Sequence, residues 1–230
     1  GLTTPDEAAE LKKVQLALLV SGDLGRIVDL SSIGGVAGRL QAIYMGYFDS
    51  PSEDLKYAAA YALGRAAVGA QPVFLPAIVD DLEKNNEKKQ YLLLSALRGF
   101  IQCNYQQSGG EGIAASLPVI MPHLENHCSD SEEGVRTMVA ECLGSLICMQ
   151  PASMLEKLSG MVSSHSAIEA PNGTVDPADE ASKKNAMVCW TVATSIKLSI
   201  AGKADQAQLA IHMAVFLKLL EQKELSVRNA

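Results

Sequence analysis

Apolar residues recur every three to four positions along this chain, in blocks that come in pairs. Leu55, Ala59, Ala62 and Leu63 share one face of a helix that opens after Pro51, with Ser52 placed to cap it and Gly69 to end it. Its partner runs from about Pro72 to Lys84 and turns Phe74, Ile78, Val79 and Leu82 inward. A turn at Asn85-Asn86 leads to the next pair. That pair sets Tyr91, Leu94, Leu97 and Ile101 on one helix, and Ile113, Leu117, Ile120, Met121 and Leu124 on the other. A third pair uses Val135, Val139, Leu143 and Leu146, then Met154, Leu155, Leu158 and Met161. A fourth uses Met187, Trp190, Val192 and Ile196, then Leu209, Met213, Phe216 and Leu220. Leu16 to Leu24 and Val36 to Phe48 make an earlier pair.

Two first helices carry the same ten-residue pattern: apolar, basic, three variable, Ala, two variable, Leu, Gly. One copy runs from Leu55-Lys56 through Ala60 to Leu63-Gly64, the other from Val135-Arg136 through Ala140 to Leu143-Gly144. A Ser-acid start precedes each, and Val227-Arg228 opens a third copy. First helices begin near residues 10, 53, 87, 132, 180 and 224, a spacing of about 43 residues that suits HEAT or armadillo units. The expected fold is an all-α, HEAT/armadillo-like helical-repeat solenoid of about five helix pairs. These lie at 10–48, 52–84, 87–127, 131–164 and 180–222, in one array covering 1–230. Another repeat is expected to start at 224–230, which points to a piece of a longer protein. Two segments break the rhythm: a glycine-rich loop at 106–112 and a polar insertion at 166–179.

Composition narrows the function classes. Hydrophobic residues make up 48% but aromatics only 5%, which is the make-up of closely packed helices. No window approaches the roughly 18 apolar residues of a membrane span, and the N-terminus has no basic, apolar leader, so a soluble chain is expected. The net charge of −7 and the scattered basic residues argue against nucleic acid and favour a partner with basic surfaces. Five cysteines without C-x-x-C spacing suit a reducing compartment, cytoplasmic or nuclear. In that setting the Asn172-Gly173-Thr174 acceptor pattern has no meaning.

Little in the chain points to catalysis, a cofactor or a small-molecule substrate. His123, His127 and Cys128 have the spacing to bind zinc from one helix face, but no second ligand pair lies nearby and the H-E-x-x-H arrangement is not met. The two histidines read instead as polar residues on an exposed helix face. Glycine turns at 34–38 and 108–112 precede helices where anions can sit, yet neither carries a P-loop Lys-Ser/Thr. Trp190 reads as a core anchor. The basic residue of the repeat (Lys56, Arg136, Arg228) is expected to reach an acid in an adjacent repeat.

Three blocks resemble, in order, the repeats of the cullin-associated, neddylation-dissociated family: 50–64 with Val68-Gly69 and Phe74-Leu75-Pro76, then 89–97, then 131–144. Gly22-Asp23-Leu24-Gly25, Asp29-Leu30-Ser31 and Leu225-Ser226-Val227-Arg228 extend the match, while 1–12 and 163–205 match poorly. The resemblance implies a non-catalytic HEAT scaffold fragment, from the C-terminal third of a protein that wraps an unmodified cullin–RING ligase core and exchanges its substrate receptors. The two irregular segments imply a divergent member. Second helices lining a concave side would present the contacts, making Arg39, Asp81, Lys84, His123, Asn126, Lys157, His212 and Lys218 partner-binding candidates. Two other readings stand beside this one: a HEAT scaffold of transport or phosphatase-adaptor type, and a metal enzyme built on the His123 cluster.

Overall fold

The structure is a computed structural model and describes residues 5–84, 87–108, 111–165, 180–222 and 225–230. The described residues form helices and no strand. They are α1 (Pro5–Ile27), α2 (Val36–Tyr47), α3 (Glu53–Gly69), α4 (Gln71–Glu83), α5 (Glu87–Ser108) and α6 (Leu117–His127). There follow α7 (Glu133–Met149), α8 (Pro151–His165), α9 (Glu180–Ala201), α10 (Gln206–Phe216) and α11 (Leu225–Asn229). Short 3₁₀ turns at Leu30–Ser32, Glu111–Ser116 and Leu217–Glu221 join some of them. The chain divides into two compact units, Gly1–Asn104 and Tyr105–Ala230.

In the first unit α1 stacks on α3, and α2 packs against both α3 and α4. Small residues set the closeness of the stack: a Cβ added at Gly22 would lie 2.5 Å from the Ala62 Cα. Around it Tyr44, Leu63, Phe74, Ile78, Leu93 and Phe100 are fully buried. Each such large apolar side chain contributes about 1.5–3 kcal/mol. The buried Tyr44 keeps its hydroxyl satisfied by donating to Ser21 Oγ at 2.9 Å, and its ring lies 6.2 Å from that of Phe74.

In the second unit α7 stacks on α9, α8 packs on α10, and α6 borders α7. Ile120, Leu124, Leu143, Leu146, Leu155 and Leu158 form its core. The face of α9 includes Thr191, Ser195 and Ser199, all without exposed surface. Each hydroxyl finds an acceptor: Thr191 donates to the Cys128 carbonyl at 2.7 Å, Ser195 to Thr191 at 2.7 Å, and Ser199 to Ile196 at 2.7 Å. Small polar side chains thus let helices approach without orphaning a buried group.

The structure departs from the pattern in several places. The first helix starts at Pro5, where proline's fixed φ and the following Asp6 and Glu7 favour a helix start. Ser52 occupies the cap position of α3 but makes no side-chain cap bond. The segment read as a glycine-rich loop is largely helical. α5 continues through Ser108 and a 3₁₀ turn resumes at Glu111, leaving only Gly109 and Gly110 outside the described residues. The insertion at 166–179, with Asn172, the turn at Asn85-Asn86, and residue 224 at the start of the last repeat also lie outside them.

Candidate partner-binding site

The second helices of each pair carry most of the polar candidates. α4 and α6 share a device absent from the first helices: prolines four residues apart, Pro72 and Pro76 in one, Pro118 and Pro122 in the other. Proline has no N–H, so the carbonyls of Pro72 and Pro118 lack a helical donor. All four prolines lie on exposed surface, where water can satisfy those carbonyls.

In the first unit Arg39 is exposed on α2 and makes no ion pair with a described residue. Asp81 and Lys84 close on each other across one turn at the end of α4, at 2.5 Å. This hydrogen-bonded carboxylate raises the Lys84 ammonium above its ordinary value. In the second unit the candidates are tied across helices. Lys157 of α8 reaches Glu125 of α6 at 2.6 Å, and the His212 ring of α10 pairs with Ser159 Oγ of α8 at 2.8 Å. Asn126 is exposed, and Lys218 is half-buried in the 3₁₀ turn after α10. The structure therefore joins Asp81 to Lys84, Lys157 to α6 and His212 to α8. Most of these side chains already hold a partner within the fold.

The histidine cluster differs from its reading as an exposed face. His123 and His127 are each 9% exposed, because they share the inward face of α6 with Ile120 and Leu124. Burial pushes the His127 imidazole below its ordinary value, against the pull of Asp130, whose carboxylate lies 3.6 Å away. Burial also pushes the Cys128 thiol up to about 12, so the thiolate that would ligate metal or attack a substrate is suppressed. No three His, Cys, Asp or Glu side chains among the described residues come together as a metal would require.

The basic residues of the repeat also behave differently from expectation. Lys56 pairs with Glu53 of its own helix at 2.7 Å. Arg136 does reach the next first helix, but it stacks on an indole instead of an acid, its guanidinium 5.2 Å from the Trp190 ring. Trp190 is accordingly half-buried and not a core anchor. The spacing Lys183, Trp190, Lys197, seven residues apart, was the sequence signal for this exposed face.

The HEAT repeat family matches residues 120–147, which take in most of α6 and most of α7. Cullin-associated NEDD8-dissociated protein 1 of Arabidopsis thaliana is 33% identical over 233 residues, covering 98% of this chain and 17% of the plant protein. The protein of the same name from Drosophila melanogaster is 39% identical over 156 residues, or 67% of this chain and 12% of its own length. The chain belongs to the cullin-associated NEDD8-dissociated family. A protein described as the C-terminal part of such a molecule, from Emericella nidulans, is 29% identical over 161 residues, 67% of this chain and 14% of that protein. The chain thus spans about a sixth or less of the length of these family members. Within the family's HEAT-repeat solenoid, the ten-residue pattern marks where one first helix receives the next. Ala60 and Ala140 are both without exposed surface, and Gly64 and Gly144 sit under the following first helix.

Proposed function

We propose that this chain is a non-catalytic HEAT-repeat segment through which a cullin-associated protein holds an unmodified cullin within a cullin–RING core and takes part in exchanging its substrate receptors. The observation that carries this reading is similarity along 98% of the chain to a protein named for association with cullins. The geometry supports a binding role over a reacting one. Asp81 pairs with Lys84 and Lys157 with Glu125, and the buried Cys128 and Cys189 thiols are pushed up to about 12 and about 11. All five cysteines are free, in keeping with a cytoplasmic or nuclear site of action. Contact spread over Arg39, the Asp81–Lys84 pair, Asn126, Lys157, His212 and Lys218, with His123 buried on the inward face of α6, would give many small contributions instead of one hot spot.

The test is calorimetric titration of the chain into a purified cullin–RING core, with and without the ubiquitin-like modifier. Binding to the unmodified core that weakens on modification, and that drops again in an Arg39→Glu/Lys157→Glu variant, is the expected result. Equal binding to both forms, or none to either, would reject the reading.

A further inference from the structure

A groove of about 600 Å³ lies between α7, α9 and α11, entirely within Tyr105–Ala230. It is built from first helices, whereas the contact candidates above sit on second helices, so it stands apart from the proposed cullin contact. Three cationic side chains line it, Arg136, Lys183 and Lys197, against a single carboxylate side chain, Glu133. In a chain of net charge −7 this is a local reversal of sign. Its floor is apolar, formed by Ala186, Met187 and Trp190.

Arg136 is already positioned for a ligand. Its Nη1 donates to the carbonyls of Asp130 at 2.7 Å and Ser131 at 3.1 Å, which holds the guanidinium plane over the indole. A cation fixed in this way loses little freedom when a carboxylate arrives. The same wall holds two polar atoms shielded from water, Arg136 Nε and Thr194 Oγ1, that have no hydrogen-bond partner among the described residues. Lys183, Trp190 and Lys197 fall on one face of α9, and the first and last are about 21 Å apart at 1.5 Å per residue. A compact anion such as phosphate would meet only one of those ends, whereas an extended segment would meet both.

We propose that this groove docks a short acidic peptide segment of a partner protein. Its carboxylates engage Arg136, Lys183 and Lys197, and an apolar side chain lies on Trp190 and Met187. Trp190 is the only tryptophan in the sequence, so its emission reports on this groove alone. The experiment titrates the chain with a hexapeptide alternating glutamate and leucine, following Trp190 fluorescence. A glutamine–leucine counterpart and inorganic phosphate are run in parallel.

The expected result is a saturable change in emission that is at least ~10-fold weaker for the glutamine peptide and fades as NaCl rises from ~0.05 M to ~0.5 M. Lys183→Glu/Lys197→Glu, at two exposed positions, should weaken it by at least ~10-fold. Equal binding of both peptides would reduce the groove to an apolar surface and overturn the proposal. So would a full response to phosphate alone, or an emission change that tracks self-association of the chain in sedimentation.

Discussion

One ten-residue pattern meets two different neighbours. In the first unit the glycine that ends it, Gly64, lies against the backbone of α5, where an added Cβ would sit 2.2 Å from the Ala96 carbonyl oxygen. In the second unit Gly144 lies against α9, where the nearest atoms to such a Cβ are the Leu198 Cβ and the Ser195 carbonyl oxygen, both at 3.0 Å. The basic residue differs too. Lys56 makes an exposed pair with Glu53, while Arg136 is bonded to two carbonyls and stacked on Trp190. The pattern therefore encodes a place in the repeat. How much any of its residues stabilises the fold is decided by the helix that arrives.

The sharpest way to break this equivalence is the same substitution at both glycines. Gly64→Ala forces a methyl onto backbone that cannot move without shifting α5, and should destabilise by about 3 kcal/mol. Gly144→Ala brings its methyl to 3.0 Å from the Leu198 Cβ and the Ser195 carbonyl oxygen, so α9 has to give by only a few tenths of an ångström. The change also gains up to about 1 kcal/mol of helix propensity, so its net cost should stay below about 1 kcal/mol. Urea midpoints of the two variants measure the difference. Equal losses would mean that the two stacks are equally tight and that the contrast drawn from the glycines is wrong.

Much of the fold was legible because helix periodicity and the Ala/Leu-Gly spacing are local properties. Ala60 and Ala140 could be assigned to a packed face without knowing what packs on them. The partners were not legible. Nothing near Arg136 in sequence indicates Trp190, 54 positions later, so an acid was the natural expectation and an indole took its place. Trp190 looked like core because its helix neighbours are apolar, but its face of α9 is where the groove opens. His123 and His127 depart from an exposed face for the opposite reason. Their side chains are polar, yet Ile120, His123, Leu124 and His127 fall on one stripe, and that stripe is buried. Periodicity alone already placed them there.

The basic position offers a comparison of intermediate size. Arg136→Ala removes two charge-assisted bonds to the carbonyls of Asp130 and Ser131 and the contact with Trp190, and should cost about 2 kcal/mol. Lys56→Ala removes an i,i+3 surface pair worth about 0.3 kcal/mol, partly offset by the good helix propensity of alanine. Thermal melts at low and high salt separate the two. The Lys56 difference should shrink with salt, and the Arg136 difference should persist. A loss for Lys56→Ala as large as that for Arg136→Ala would mean that the lysine has a partner on the next repeat after all.

The smallest expected effect concerns pH, and here the two units differ absolutely: all four histidines lie beyond residue 104. His127 is held below its ordinary value of 6.5, first by burial and also by His123, with the Asp130 carboxylate opposing. The folded second unit therefore binds this proton less readily than the unfolded chain. Its contribution to stability is complete above about pH 6.5 and is lost as pH falls through the lower, folded-state value. Hydrogen exchange between pH 7.5 and 5.5 should show protection of α6 and α7 falling while that of α3 holds. His127→Gln removes the titrating group, so its decline over the same range should be shallower. A wild-type profile as flat in α7 as in α3 would mean that the Asp130 carboxylate outweighs burial and that the imidazole accepts its proton without cost to the fold.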